Sequence, residues 1–165
     1  MCTVLYLSNP NGYIICSIRD ENPNRLTLTP QIYNHEQTNF VCPLDVEKKG
    51  SWIATNSHHQ SYVLLNGGFQ NHIRKTSYKL SRGAIVMGLI SAQDPLPFIQ
   101  ALDLSESEPF TIVFVYENRL SEFVWTGTDK QIQSLNPHLN HIWSSSTLYN
   151  SEAKLQRQNM FDKWI

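Results

Sequence analysis

The stretch "MCTVLYLSNPNGYIICSIRDEN" (residues 1–22) decides how the fold of this chain begins. Two runs rich in Val, Ile, Leu and Tyr, residues 3–7 and 13–17, flank the turn-forming sequence Asn-Pro-Asn-Gly. This pattern predicts an antiparallel hairpin. Because both runs are apolar at nearly every position, we expect both faces of these strands to be covered.

Two turn positions compete in this hairpin. A turn centred on Asn11–Gly12 has the more favourable dipeptide, but it sets Pro10 where a backbone N–H is needed, and proline has none. A turn centred on Pro10–Asn11 avoids that conflict and pairs Leu5 with Cys16. We therefore prefer the second register.

The open end of the hairpin carries the reactive side chains. Either register keeps Cys2 and Arg19 on one face, and the preferred register places them directly opposite, where Cβ atoms are ~4.5–5.5 Å apart. A guanidinium so close favours the thiolate. If Met1 is removed, the α-amine of Cys2 titrates near pH ~7.7–8.0 and can act as the general base, so that nucleophile and base belong to one residue. Asp20 can hold the protonated amine or orient Arg19.

A plainer interpretation of the same residues stays open. A free cysteine often simply fills a core, and Arg-Asp-Glu after a strand is commonly a solvated turn. Spacing alone does not decide between this interpretation and catalysis.

The rest of the chain predicts an antiparallel α+β fold, because most strand-like runs are neighbours that can form hairpins. The predicted strands are 51–55 with 61–66, 110–117 with 120–127 turning at Asn118–Arg119, and 141–146. Helices are predicted after a cap at Ser81, from Asp94–Pro95 through Leu102, and from a cap at Asn150 or Ser151 to the end of the chain. Residues 19–50 are predicted to be a long polar loop.

Two predictions concern the apolar residues. In the last helix Ala153, Met160, Phe161 and Trp164 share one face. The four tryptophans are predicted to be core residues: Trp52, Trp125, Trp143 and Trp164.

Composition limits the class of protein. With 165 residues, 41% of them hydrophobic and 16% charged, we expect one globular domain spanning residues 1–165. A net charge of −1 and scattered basic residues argue against partners such as nucleic acid or an acidic membrane.

Cysteine and histidine usage limits the compartment and the cofactors. Cys2, Cys16 and Cys42 form no C-x-x-C pair, which favours a reducing compartment. No signal-peptide pattern and no apolar run of membrane-spanning length are present, so we predict a cytoplasmic protein. The histidines lack partners at metal-ligand spacing, and no metal and no cofactor is predicted.

Several motifs, taken together, resemble one family. The start Met-Cys, followed by a hairpin and then "SIRDEN" (17–22), is similar to the Transport and Golgi organisation protein 2 family, also called the NRDE family after its Asn-Arg-Asp-Glu motif. Ile18 stands where that family has Asn. Further similar segments are "PLD" (43–45), "GSWIAT" (50–55), "LLNGG" (64–68), "SRG" (81–83) and "IWSSSTLYN" (142–150).

The resemblance implies a fold and an activity. The family is similar to N-terminal nucleophile (Ntn) cysteine hydrolases, which implies a four-layer αββα sandwich and hydrolysis of a small acyl-amide. Carried over by motif, the site residues are Cys2, Arg19, Asp20 and Asn66, with Asn66 contributing to an oxyanion hole. The alternative for Asn66 is a turn residue that supports Gly67–Gly68.

The resemblance also implies a second class of function, and it implies that the C-terminal part of the family's usual sequence is missing from this chain. Family members are linked to Golgi organisation, secretion, and haem or lipid handling, so a non-catalytic role is the alternative to hydrolysis. They usually continue for many tens of residues past the last helix that we predict in this chain. We therefore expect a short or C-terminally shortened member with an uncovered strand edge. That edge can pair with a second copy, which gives a homodimer, or with a separate segment supplied in trans.

Overall fold

The computed structural model of the protein describes residues 3–35 and 38–165. Ten strands and three helices lie in this part of the chain. In chain order they are β1 Thr3–Asn9, β2 Gly12–Ile18, β3 Thr27–His35, β4 Thr38–Asp45, β5 Ile53–Asn56, β6 Ser61–Asn66, α1 Arg82–Ser91, α2 Pro95–Ala101, β7 Phe110–Tyr116, β8 Arg119–Trp125, β9 Lys130–Leu135, β10 His141–Ser144 and α3 Ser151–Trp164.

The strands form two antiparallel sheets. One has three strands in the order β10-β1-β2, and the other has seven in the order β3-β4-β5-β6-β7-β8-β9. The predicted antiparallel α+β class is confirmed.

Two apolar cores hold the layers together, one between the two sheets and one between the seven-stranded sheet and helices α1 and α2. Between the sheets pack Val4 and Tyr6 of β1 with residues such as Val63 and Leu65 of β6. On the other face of the seven-stranded sheet, side chains such as Leu64 meet the buried face of α1 and Ile99 of α2. Helix α3 packs against β10 on the three-stranded sheet. The implied αββα sandwich is confirmed, and it exists because successive β6 residues point into different cores.

The first hairpin has the preferred register. Asn9 pairs with Gly12, so the turn is centred on Pro10–Asn11, and Leu5 pairs with Cys16. The Asn9 side chain accepts a hydrogen bond from the backbone N–H of Asn11 at 3.0 Å, which supports the turn.

The expectation that both faces of this hairpin are covered is wrong for β2. Tyr13, Ile15 and Ser17 are half-buried, whereas the alternate residues Ile14 and Ile18 are 52% and 55% exposed. β2 is the edge strand of the smaller sheet, and among the described residues α3 lies over β10 rather than over β2. Apolar composition on both faces therefore does not ensure cover on both faces.

The predicted loop at 19–50 is also wrong, because it contains the hairpin β3–β4. The register of this hairpin shifts between Leu28 and Gln31, around Pro30. A proline without an N–H is tolerated at such a bulge of an edge strand. The polar composition and this interruption hide the strand from a search for apolar alternation.

Other elements lie close to their predicted positions. The third hairpin turns one residue earlier than expected, at Glu117–Asn118, where both residues have positive φ as a tight hairpin turn requires. Ser81, Asp94 and Asn150 cap their helices as predicted. The polar edge strand β9 has no counterpart among the sequence predictions.

The prediction for the last helix holds in part. Phe161 is buried, but Met160 and Trp164 are 65% and 67% exposed. Trp164 is therefore not a core residue, whereas Trp125 is buried and the other two tryptophans are half-buried.

Candidate functional site

A cleft of about 660 Å³ opens beside the ends of β2, β4 and β6 and the beginning of α1. We call it the Arg19 cleft. Arg19 and Asn66 both line it, and residues 74–83 form one continuous wall. Two of the residues carried over by motif thus meet at one cavity, although they are 47 positions apart in the sequence.

Two glycines shape the floor of the Arg19 cleft. The Cα of Gly50 approaches Gly83 so closely that a Cβ on Gly50 would lie 2.6 Å from the Gly83 carbonyl carbon. The backbone N–H of Ser51 donates to the Gly83 carbonyl at 3.3 Å. A side chain at either glycine would push the start of α1 away from the segment before β5.

Arg19 is held from three sides. Its Nη1 donates to Thr27 Oγ1 at 3.0 Å, and its Nη2 lies 3.3 Å from Asp45 Oδ2. The guanidinium carbon lies 4.2 Å from the centre of the Trp52 ring, a cation–π contact. The plain interpretation of a solvated turn does not fit this residue, which is half-buried and fixed.

Asp45 is a site residue that the sequence analysis missed. Its side chain is 8% exposed, and its two oxygens have different partners. Oδ1 accepts the backbone N–H groups of Glu47 and Lys48 at 3.1 and 2.9 Å, whereas Oδ2 faces Arg19 and lies 2.6 Å from Arg25 Nε. The "PLD" segment was the available signal, because a carboxylate at the end of an apolar strand commonly points into a site.

Asn66 ends β6 and is shared by two cavities. Its carbonyl accepts a hydrogen bond from Ser145 Oγ at 2.8 Å, and Gly67 follows with a φ of +84°. A Cβ on Gly67 would collide with the Ser146 hydroxyl. Asn66 lines the Arg19 cleft on one side and a smaller cavity of about 160 Å³ on the other.

The smaller cavity contains a carboxyl group, and we call it the Glu122 cavity. Glu122 of β8 and Lys154 of α3 line it together with Asn66 and Ser145. Burial raises the pKa of Glu122 above its ordinary value, although a hydrogen bond from Trp143 opposes part of that shift.

A second buried carboxylate, Glu108, ties the wall to the floor of the Arg19 cleft. It lies 2.7 Å from Arg74 Nε, 3.1 Å from Arg82 Nη2 and 3.2 Å from His72 Nε2. Burial acts to raise the pKa of Glu108, but its hydrogen bond to Arg74 and the charges of the two arginines outweigh burial and hold this pKa below its ordinary value.

The other two residues carried over by motif are Asp20 and Cys2. Asp20 is exposed, and its Oδ2 accepts a hydrogen bond from the Tyr149 hydroxyl at 2.9 Å. Cys2, with the pairing to Arg19 expected for it, lies outside the described residues. The register of the hairpin next to it, from Thr3 opposite Ile18 onward, agrees with the one that pairing requires.

Across residues 3–35 and 38–165, no helix combines the length and the apolar character needed to cross a membrane.

Comparison with known proteins agrees with the fold. No curated protein matches this sequence. The crystal structure of a mutant conjugated bile acid hydrolase from Clostridium perfringens, in which the cysteine at its second position is alanine, is similar to this chain with a TM-score of 0.56. The identity is 9%, and the match covers 98% of this chain and 57% of that chain. At this identity the likeness concerns the fold, which is that of an Ntn hydrolase, and this chain spans a little over half the length of that protein.

The sequence itself identifies the family. It matches Transport and Golgi organisation 2 over residues 1–165, which is the whole of the chain given. The resemblance carried by "SIRDEN", "GSWIAT" and the other segments is therefore confirmed. This chain belongs to the Transport and Golgi organisation 2 family.

Proposed function

We propose that this protein is an N-terminal-cysteine amide hydrolase that acts on a small acyl-amide, with Cys2 as nucleophile. The observation that carries the proposal is that Arg19 and Asn66 line one cleft. The hairpin register supports it, because one more pair beyond Thr3 and Ile18 would bring a thiol opposite Arg19. The similar bile acid hydrolase was studied as a mutant of its own second-position cysteine, which agrees with a role for a cysteine at this place.

The proposed reaction has two steps. The Cys2 thiolate attacks the amide carbonyl carbon, and the Asn66 side-chain amide donates a hydrogen bond to the resulting oxyanion. The C–N bond breaks, the amine leaves with a proton from the Cys2 α-ammonium, and a thioester remains. Water, deprotonated by the α-amine, then attacks the thioester, which releases the carboxylic acid and the thiol.

Arg19 and Asp20 have supporting roles in this scheme. The Arg19 guanidinium lowers the pKa of the thiol by its charge. Asp20 holds the α-ammonium or orients Arg19, and the hydrogen bond from Tyr149 limits where its carboxylate can lie. We place this activity in the cytoplasm on the basis of the cysteine pattern.

Intact mass of the native protein tests the proposal directly. We expect Met1 to be absent and incubation with an activated ester such as p-nitrophenyl acetate to add one acyl group at Cys2. The Cys16→Ser variant should acylate normally, and the Cys2→Ala variant should not. Complete retention of Met1 in the native host, or acylation that survives Cys2→Ala, would refute the proposed nucleophile.

Asn66→Ala tests the oxyanion hole. Loss of one donor should lower turnover about 10²–10³-fold with the fold intact. If the variant unfolds instead, Asn66 is the turn residue of the alternative interpretation.

One observation favours the second candidate, a non-catalytic member that serves secretion, Golgi organisation, or haem or lipid handling. The guanidinium of Arg19 is already engaged by Thr27, Asp45 and Trp52, as a structural arginine would be. Under that function Arg19→Ala should destabilise the fold without changing the alkylation rate of Cys2. Under the hydrolase function the same variant should slow alkylation of Cys2 at neutral pH.

A further inference from the structure

The charges of the chain are unevenly distributed around the Arg19 cleft. Seven of the 13 lysines and arginines line it, but only three of the 14 acidic residues do so: Arg19, Arg25, Lys48, Arg74, Lys75, Lys79 and Arg82, against Glu21, Asp45 and Glu108. The chain as a whole has a net charge of −1. The cleft is therefore a positive region on a protein whose remaining surface is acidic.

The acidic residues of the cleft do not cancel this charge. Asp45 is shared between Arg19 and Arg25, and Glu21 lies 3.8 and 3.2 Å from the same two guanidinium groups, so these four charges balance. Glu108 is shared between Arg74 and Arg82, which leaves one positive charge uncompensated at the wall formed by residues 74–83.

Three lysines add further positive charge at the rim. No described carboxylate lies within ion-pair distance of Lys48 or Lys75, and the Lys75 ammonium donates to the Ser105 carbonyl at 3.4 Å. Lys79 lies 3.6 Å from Glu106, but both side chains are more than half exposed, and such surface pairs are weak. These ammonium groups are available to a ligand.

We propose that the Arg19 cleft binds a ligand with an oxyanion group, a carboxylate, sulfonate or phosphate, held at the wall formed by residues 74–83. The proposal rests on the proposed hydrolase function in one respect: it names the substrate as an anionic acyl-amide whose charged end lies away from the scissile bond. A concave site lined by one sign of charge concentrates its field and raises the local concentration of a counter-charged ligand. The hydroxyls of Thr76, Ser77 and Tyr78 on the same wall supply hydrogen-bond donors for such a group.

The size and surroundings of the cleft limit the ligand to a small molecule. A volume of about 660 Å³ suits a compound of drug or metabolite size. Outside the cleft acidic residues outnumber basic ones, so a long polyanion would be repelled beyond it.

A matched ligand pair tests the charge preference by binding alone. N-acetylglycine carries a carboxylate, and N-acetylglycinamide is its neutral counterpart of nearly equal size. Calorimetric titration of the Cys2→Ala variant, in which turnover is absent, should show about tenfold tighter binding of the acid at low salt. That advantage should shrink as salt is added. The sulfonate and phosphonate with the same skeleton, titrated alongside, identify which oxyanion fits best. Equal affinity for the acid and the amide would overturn the proposal.

Charge reversal tests the location. We expect Lys48→Glu combined with Lys75→Glu to abolish the preference for the acid, because both lysines are exposed residues of the cleft rim. Arg119→Glu combined with Lys163→Glu reverses the same number of charges at exposed positions outside the cleft, and this matched control should keep the preference. A preference that survives the double variant, or that is lost equally in the control, would contradict the assignment to this cleft.

The two proposals can fail separately. Tight binding of the acid without acylation of Cys2 would leave the anion site in place and refute the hydrolase. Acylation and turnover with equal rates for acid and neutral amide would support the hydrolase and refute the anion site.

Discussion

The guanidinium of Arg19 and the carboxylate of Asp45 lie 3.3 Å apart and join the two sheets. Arg19 follows β2 of the three-stranded sheet, and Asp45 ends β4 of the seven-stranded sheet. The Arg-Asp-Glu segment and the "PLD" segment are thus two sides of one contact at the rim of the sandwich. This contact fixes where Arg19 stands in the cleft.

Replacing Asp45 should separate the functions of its two oxygens. Asp45→Ala removes both the acceptor for the Glu47 and Lys48 N–H groups and the charge that faces the arginines, and we expect it to lower the free energy of unfolding by about 3–5 kcal/mol. Asp45→Asn keeps the acceptor and should cost less. Urea unfolding measures both. Equal losses in the two variants would mean that the hydrogen bonds from the Glu47 and Lys48 N–H groups contribute nothing measurable to the free energy of unfolding.

Glu108 should make the protein sensitive to acid. Because its pKa is lower in the folded than in the unfolded chain, its contribution is complete above the ordinary value of 4.5 and is lost as pH falls through the folded value. At neutral pH Glu108→Gln should cost about 3 kcal/mol, the lower end for a broken buried pair, since Arg74 is 72% exposed. The difference between wild type and variant, measured by urea unfolding, should shrink below pH 4.5. A difference independent of pH would contradict this assignment.

Glu122 should have the opposite pH dependence. Its pKa is raised in the folded chain, so the folded state holds the proton more tightly, and stability is lost as pH rises from the ordinary value of 4.5 through the folded value. Glu122→Gln, which keeps an acceptor for Trp143, should therefore be more stable than wild type at neutral pH and lose that advantage in acid. Thermal unfolding across the pH range checks it, and a destabilised variant at pH 7 would show that Glu122 has a favourable charge partner.

The described cysteines should react at very different rates. Cys16 is exposed, although the apolar sequence in which Cys16 and Cys42 lie predicts that both thiols are protected. Cys42 is 1% exposed, and burial raises the pKa of its thiol, with a hydrogen bond from Ser51 opposing part of the shift. We expect iodoacetamide at neutral pH to label Cys16 and to reach Cys42 after unfolding in urea. The peptide masses decide this, and Cys2 should react fastest of the three because Arg19 is expected opposite it.

The exposed edge of the smaller sheet should favour self-association. β2 is an edge strand with Ile14 and Ile18 on its outer face, and such an edge can pair with a second copy. We expect size exclusion with light scattering to show a dimer that dissociates on dilution. Ile14→Lys should give a monomer, and Ile132→Lys, on the polar edge strand β9, is the matched control that should not. A wild-type monomer at high concentration would refute the homodimer.

Local chemistry made part of the site predictable. The turn at Pro10–Asn11 follows from the missing proline N–H, and it fixes the register from Asn9 opposite Gly12 to Thr3 opposite Ile18. The caps Ser81 and Asn150 follow from side-chain oxygens that satisfy N–H groups within the next three residues. Such interactions involve neighbours in the chain and need no knowledge of distant contacts.

Contacts between distant segments were not predictable in the same way. Trp52 packs against the core, as predicted, but its ring also supports the Arg19 guanidinium, because the residue before β5 lies beside the residue that follows β2. The hairpin β3–β4 was missed, since its stability comes from pairing with the larger sheet rather than from apolar periodicity.

The sequence by itself determined the class of fold, the first hairpin and the family, because these depend on turn chemistry, residue pattern and motifs that are continuous in the chain. The tertiary structure alone decided that basic residues scattered from Arg19 to Arg82 converge on one cleft while acidic residues mostly lie elsewhere. It also decided that Asp45 meets Arg19. The physical reason is that charge interactions depend on distance and burial, and both are set by how the layers pack rather than by position along the chain.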